Sequence, residues 1–74
     1  MHTTYDGEAD ASYIGLIDNI RSHDMLTAIH HPDGINEWEI NVDFDVKGRL
    51  VGVEILFAKE GLPAEFIAQC ERLA

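Results

Sequence analysis

Between Glu37 and Phe57 the chain alternates apolar and polar side chains twice. Trp38, Ile40, Val42 and Phe44 mark the first run, Val51, Val53, Ile55 and Phe57 the second, and Lys47-Gly48 lies between them. Side chains on a strand point to opposite faces in turn, so two such runs joined at a glycine predict a β-hairpin with one dry face. Both apolar sets share a face when Phe44 sits opposite Val51, Val42 opposite Val53, Ile40 opposite Ile55 and Trp38 opposite Phe57. A two-residue turn at Lys47-Gly48 or a four-residue loop from Val46 to Arg49 gives that register, with Gly48 supplying positive φ. A type I turn with Gly48 in a one-residue bulge is the rival and shifts the register by one. The reading that keeps the apolar face intact is preferred.

The flanking segments fill out a small sheet. His2 to Tyr5 predicts an edge strand ending at the turn dipeptide Asp6-Gly7. Ala11 to Ile17 predicts a second strand, covered on both faces near its end, in which Gly15 marks a close approach or a bulge. Asp18 to Asp24 reads as a connection with a helical turn at Asn19 to His23, Met25 to His30 as a short strand, and His31-Pro32-Asp33-Gly34 as a turn. Leu62-Pro63 opens a C-terminal helix with Pro63 at its first position. Its apolar stripe is Phe66, Ile67, Cys70 and Leu73, while Ala64, Glu65, Gln69 and Glu71 point away. Docked on the hairpin, Phe66, Ile67 and Leu73 should each contribute about 1.5 to 3 kcal/mol before entropy is subtracted. The expected fold class is α+β: one domain over residues 1–74, an antiparallel meander of four or five strands with one helix on one face.

Composition narrows the partners. Seventy-four residues with a single cysteine cannot form an internal disulfide, and a core this small gains from association, so a homodimer is expected. Fourteen acidic residues against five basic ones give a net charge of −9, which repels phosphate backbones and anionic bilayers and suits a basic protein partner. No signal-peptide pattern or membrane-length apolar run is present, so the expected location is the cytoplasm.

Two blocks carry a family resemblance. Tyr5-Asp6-Gly7-Glu8-Ala9-Asp10-Ala11-Ser12-Tyr13-Ile14 and Val42-Asp43-Phe44-Asp45-Val46-Lys47-Gly48-Arg49-Leu50-Val51-Gly52-Val53-Glu54-Ile55-Leu56 resemble the two signatures of a family of short bacterial proteins, domain-of-unknown-function family 2283. Ser12 stands where a larger apolar residue is usual, and residues 18–38 are not closely matched. The resemblance implies a compact sheet with a C-terminal helix and brings no catalytic residues.

Each chemical constellation has a simpler reading beside it. Asp6, Glu8 and Asp10 begin like a calcium loop, but Ala11 and Ile17 stand where that loop needs Gly and Glu, so a turn capped by carboxylates is expected. On the outward hairpin face the register places Glu37, Glu39, Asn41, Asp43 and Asp45 on one strand, with Glu54 opposite Asn41 and Gly52 leaving a bare notch opposite Asp43. The histidines His2, His23, His30 and His31 match no zinc spacing, and Cys70 reads as a small core residue. No catalytic residue, metal site or cofactor is assigned. The leading reading is a protein-protein interaction or regulatory module, an antitoxin-like neutraliser being one form. Its docking surface is Glu37, Glu39, Asp43, Asp45, Gly52 and Glu54, and it is not expected to be an enzyme. The alternative is a small metal- or ligand-binding protein or enzyme with a site of acidic residues and histidines, built across a dimer.

Overall fold

The computed structural model describes residues 1–17, 26–30 and 38–74. The turn at Asn19 to His23, the turn at His31 to Gly34, and Glu37 lie outside the described residues. The strands are β1 (His2–Asp6), β2 (Ala11–Gly15), β3 (Leu26–His30), β4 (Glu39–Phe44), β5 (Leu50–Leu56) and β6 (Glu71–Arg72), with short helices α1 (Ala58–Gly61) and α2 (Ala64–Gln69) before β6. They form one mixed, mostly antiparallel sheet in the order β3-β4-β5-β2-β1-β6. The α+β class is as expected, but the sheet is not a simple meander. β5, rich in β-branched residues, takes a central place between β4 and β2, where Val51 and Ile55 are buried. β3 is left beyond β4.

The hairpin register combines the two possibilities that the sequence leaves open. Ile40 pairs with Ile55 and Val42 with Val53, as the apolar pattern requires, but Phe44 pairs with Leu50 across a bulge that leaves Val51 as the extra residue. Beyond the bulge, Asp45 N–H donates to Arg49 O and Gly48 N–H to Asp45 O, with Gly48 at φ 81°. The tight loop shifts the register by one and the bulge restores it. The expected pair Trp38–Phe57 is absent, because the chain leaves β5 at Leu56 and Phe57 turns into the left-handed region at φ 55°, 48% exposed. Trp38 lies instead against α1, where a Cβ on Gly61 would come within 2.6 Å of its ring.

The core lies between one sheet face and the helices. Tyr5, Ile55, Ala58, Ile67 and Cys70 form it, with Ile14, Trp38, Val53, Leu62 and Phe66 packed at its margin. Ser12 lies on the same face, between Tyr5 and Ile55 in the strand register. Its hydroxyl donates to Thr4 O at 2.9 Å and lies 3.8 Å from Cys70 Sγ, so a small polar residue is accommodated where a larger one would push Cys70 out.

The C-terminal segment departs most from expectation. Pro63 is extended and precedes α2 as its cap rather than opening it, and the helix ends at Cys70, which is itself extended. Glu71 and Arg72 then pair in parallel with Thr4 and Tyr5, and Leu73 N–H donates to Tyr5 O. Phe66, Ile67 and Cys70 do face the sheet, but Leu73 is 61% exposed and contributes no core burial. An open sheet edge offers backbone partners that one more helical turn would not, so β1 is not the edge strand and β6 lies as its neighbour.

Candidate functional site

The strand register places Thr4, Tyr13, Glu54 and Asn41 in one row on the face opposite the core. Gly15, Gly52 and Asp43 form the next row, and Leu56 and Glu39 pair on the other side of the first. Both described helices pack on the other face. Two glycines directly opposite each other would leave a trough, but the Tyr13 side chain crosses it. A Cβ on Gly52 would fall 1.8 Å from the Tyr13 hydroxyl oxygen, and one on Gly15 would fall 3.4 Å from the ring. Only glycine at position 52 leaves room for the Tyr13 hydroxyl end, whereas Gly15 meets the ring at ordinary contact distance. At the far side of the trough the Tyr13 hydroxyl donates to Asp43 Oδ2 at 3.0 Å.

The expected bare notch at Gly52 is therefore filled from within, and Asp43, assigned from sequence to the outward docking face, is 7% exposed beneath that roof. Strand parity sets the face on which a residue lies; it does not say which neighbour's side chain will cover it. Burial pushes the Tyr13 phenol up to about 12, helped by its hydrogen bond to Asp43 and by the negative charges of Asp43 and Glu54. Next to it, Asn41 Nδ2 donates to Glu54 Oε1 at 2.8 Å, which fixes Glu54 across the β4–β5 pair. Among the described residues the buried Asn41 Oδ1 atom has no hydrogen-bond partner.

Asp45 has a different task. Its carboxylate accepts from the backbone N–H of Lys47 and Arg49 and from Arg49 Nε at 2.8 Å, closing the hairpin loop. The Arg49 N–H is the main reason its acidity is strengthened, with the Arg49 guanidinium and the Lys47 N–H adding to it against partial burial. Of the six residues assigned from sequence, Glu39 and Glu54 are the half-buried carboxylates on the face, Asp43 and Gly52 lie beneath Tyr13, and Asp45 holds a turn. Tyr13 is the residue that sequence reasoning missed. The available signal was an aromatic two positions before Gly15 on a strand that could pair with the one holding Gly52.

The first signature block is equally occupied with the fold. Asp6 Oδ1 accepts from the N–H of Glu8 and Ala9, as expected for a capped turn. Asp10, at φ 52°, receives the Tyr5 hydroxyl at 2.8 Å and the Lys59 N–H, while its carbonyl takes the Ala58 N–H, so it ties the first hairpin to α1. Burial raises the Tyr5 phenol, and Asp10 adds to the shift. His2 Nε2 lies 3.0 Å from Glu71 across β1 and β6. Among the described residues no group of three or more His, Cys, Asp or Glu side chains converges as metal ligands, and no helix is long and apolar enough to cross a membrane. Cys70 is a free thiol buried in the core.

No curated protein and no solved structure matches the chain. Residues 2–59 match the family described as protein of unknown function, DUF2283, and both signature blocks, Tyr5 to Ile14 and Val42 to Leu56, fall inside that span. A match over most of the chain, on the residues that build the two hairpins, makes this protein a member of the DUF2283 family.

Proposed function

We propose that the domain is a protein-binding module whose acidic sheet face engages a basic partner. The observation that carries this reading is the way the face is braced: Tyr13 spans the Gly15–Gly52 pair to reach Asp43, and Asn41 holds Glu54, on the side away from both described helices. Carboxylates held in place lose little side-chain entropy when a cation docks, and the net charge of −9 steers a basic surface toward them. Glu39 and Glu54 make the direct contacts, and Asp43 acts through Tyr13. The setting is that of a small bacterial cytoplasmic protein, and self-association is compatible with the use of this face.

The test is affinity capture with the wild-type chain and with a Glu39→Lys/Glu54→Lys variant. A basic protein retained by the wild type, released by raised salt and not retained by the variant supports the reading. Equal retention by both overturns it. A calorimetric titration with divalent metals gives the competing outcome: sub-millimolar binding abolished by Asp43→Asn would establish a metal or ligand site instead.

A further inference from the structure

The opposite side of the molecule carries a groove of about 310 Å³ lined by Lys59, Leu62, Ala64, Ile67, Ala68 and Arg72. Its origin is local. The break between α1 and α2 at Leu62-Pro63 separates two helical turns, and Ala64 and Ala68, one turn apart on α2, leave the space beside Leu62 and Ile67 unfilled. β6 closes the far side and brings Arg72 to the rim. Among the described residues neither Lys59 nor Arg72 has a carboxylate partner, whereas Arg49 is paired with Asp45. The Arg72 guanidinium lies 5.1 Å from the centroid of the Tyr5 ring, which holds it near the rim and leaves its N–H edges able to donate.

We propose that this groove binds a small aliphatic monocarboxylate, with the alkyl chain on Leu62 and Ile67 and the carboxylate taken by Lys59 and Arg72. An apolar floor with a few charged groups at its edge is the usual make-up of a small-ligand site, and this volume is at the low end for one. The pairing is also a matter of charge. The molecule as a whole repels anions, but that field is screened beyond about 8 Å at physiological salt, and within that distance the two cations set the preference. A neutral ligand of the same shape would gain the floor and not the rim.

The experiment is an amide-resolved NMR titration of the full chain with hexanoate, and separately with 1-hexanol, at physiological salt. Saturable shifts confined to Lys59, Leu62, Ala64, Ile67, Ala68 and Arg72 are expected, with a dissociation constant of about 1 mM, in keeping with so few ligand atoms. Hexanol should bind about fivefold more weakly or worse, the order expected for a partly exposed ion pair. Lys59→Gln/Arg72→Gln should remove the preference for the acid, and Ala68→Trp, which fills the groove and keeps both charges, should abolish binding of either ligand. Equal affinity for acid and alcohol, unchanged binding by a folded Ala68→Trp chain, shifts centred elsewhere, or no shifts at tens of millimolar would each overturn the proposal. A peptide carboxylate binding more tightly than hexanoate by longer-range contacts would overturn the small-ligand assignment.

Discussion

Replacing Gly52 with alanine tests the roof over the acidic face directly. The new Cβ would lie 1.8 Å from the Tyr13 hydroxyl oxygen and 2.5 Å from the ring carbon that bears it, so the ring must leave its place over the strand. Displacing it breaks the 3.0 Å bond to Asp43. A hydrogen bond to a charged acceptor is worth about 1.5 to 3 kcal/mol, and because Asp43 has other interactions the lower end applies. Against that loss stands a gain of about 0.5 to 1 kcal/mol from replacing glycine inside a strand. Gly52→Ala should therefore destabilise the domain by about 1 kcal/mol in the wild-type background. After Tyr13→Ala the clash is gone and only the backbone term remains, so the same substitution should stabilise by about 0.5 kcal/mol. The double-mutant cycle is read by urea denaturation, with Trp38 fluorescence as the signal for all four chains. If the two substitutions are additive to within about 0.5 kcal/mol, Tyr13 does not occupy the trough in solution and the argument for a braced face fails.

Three further outcomes follow from the same contacts. The Tyr13 phenol is raised to about 12 in the folded state, so its contribution to stability is complete below pH 10 and is lost as pH rises toward 12. The ceiling of about 2.7 kcal/mol shrinks to roughly 1 kcal/mol for a partly solvated ring, and Tyr13→Phe should flatten the alkaline fall in denaturation midpoint. Asp45 is held below the usual carboxylate range, so its support for the hairpin loop is present above the unfolded pKa and is lost as pH falls through the lower folded one. The amides of Lys47, Gly48 and Arg49 should lose protection from exchange in acid relative to those of β5, and Asp45→Asn should show much of that loosening at neutral pH. Gly61→Ala places a Cβ 2.6 Å from the Trp38 ring, and overpacking at this rigid contact should cost about 1 to 3 kcal/mol and shift the Trp38 emission, whereas an unchanged spectrum and midpoint would show that the ring is not seated there.

What could be read from the letters was whatever depends on parity. Alternation placed Ile40 opposite Ile55 and Val42 opposite Val53, and it put Glu39 and Glu54 on the face away from the core. The bulge at Val51 was not legible as an addition to the loop, because the loop and the bulge cancel each other and the strand body keeps the same register. β6 was not legible because Glu71-Arg72 has no strand propensity of note; it forms because β1 has an unfilled edge that only the assembled sheet presents. Tyr13 escaped notice for a related reason. Its role depends on two glycines from different strands becoming neighbours and on Asp43 lying one strand farther on, a relation that no local pattern encodes. The signature residues Tyr5, Asp6, Asp10, Asp43, Asp45, Gly48 and Gly52 are engaged in internal bonds or in special backbone geometry, so the resemblance identified a scaffold and was silent on its use.

The parallel pairing of β6 with β1 joins segments from opposite ends of the chain through two register pairs. With so few register pairs, at the sheet edge and on exposed residues, this contact is the first candidate for local opening. Arg72 belongs to that strand and also to the rim of the groove, so undocking the tail dismantles the cationic rim. Tail docking and groove occupancy are then thermodynamically linked: a bound anion would slow hydrogen exchange at Leu73, and a substitution that populates the undocked tail would weaken the anion in proportion to the docked fraction lost.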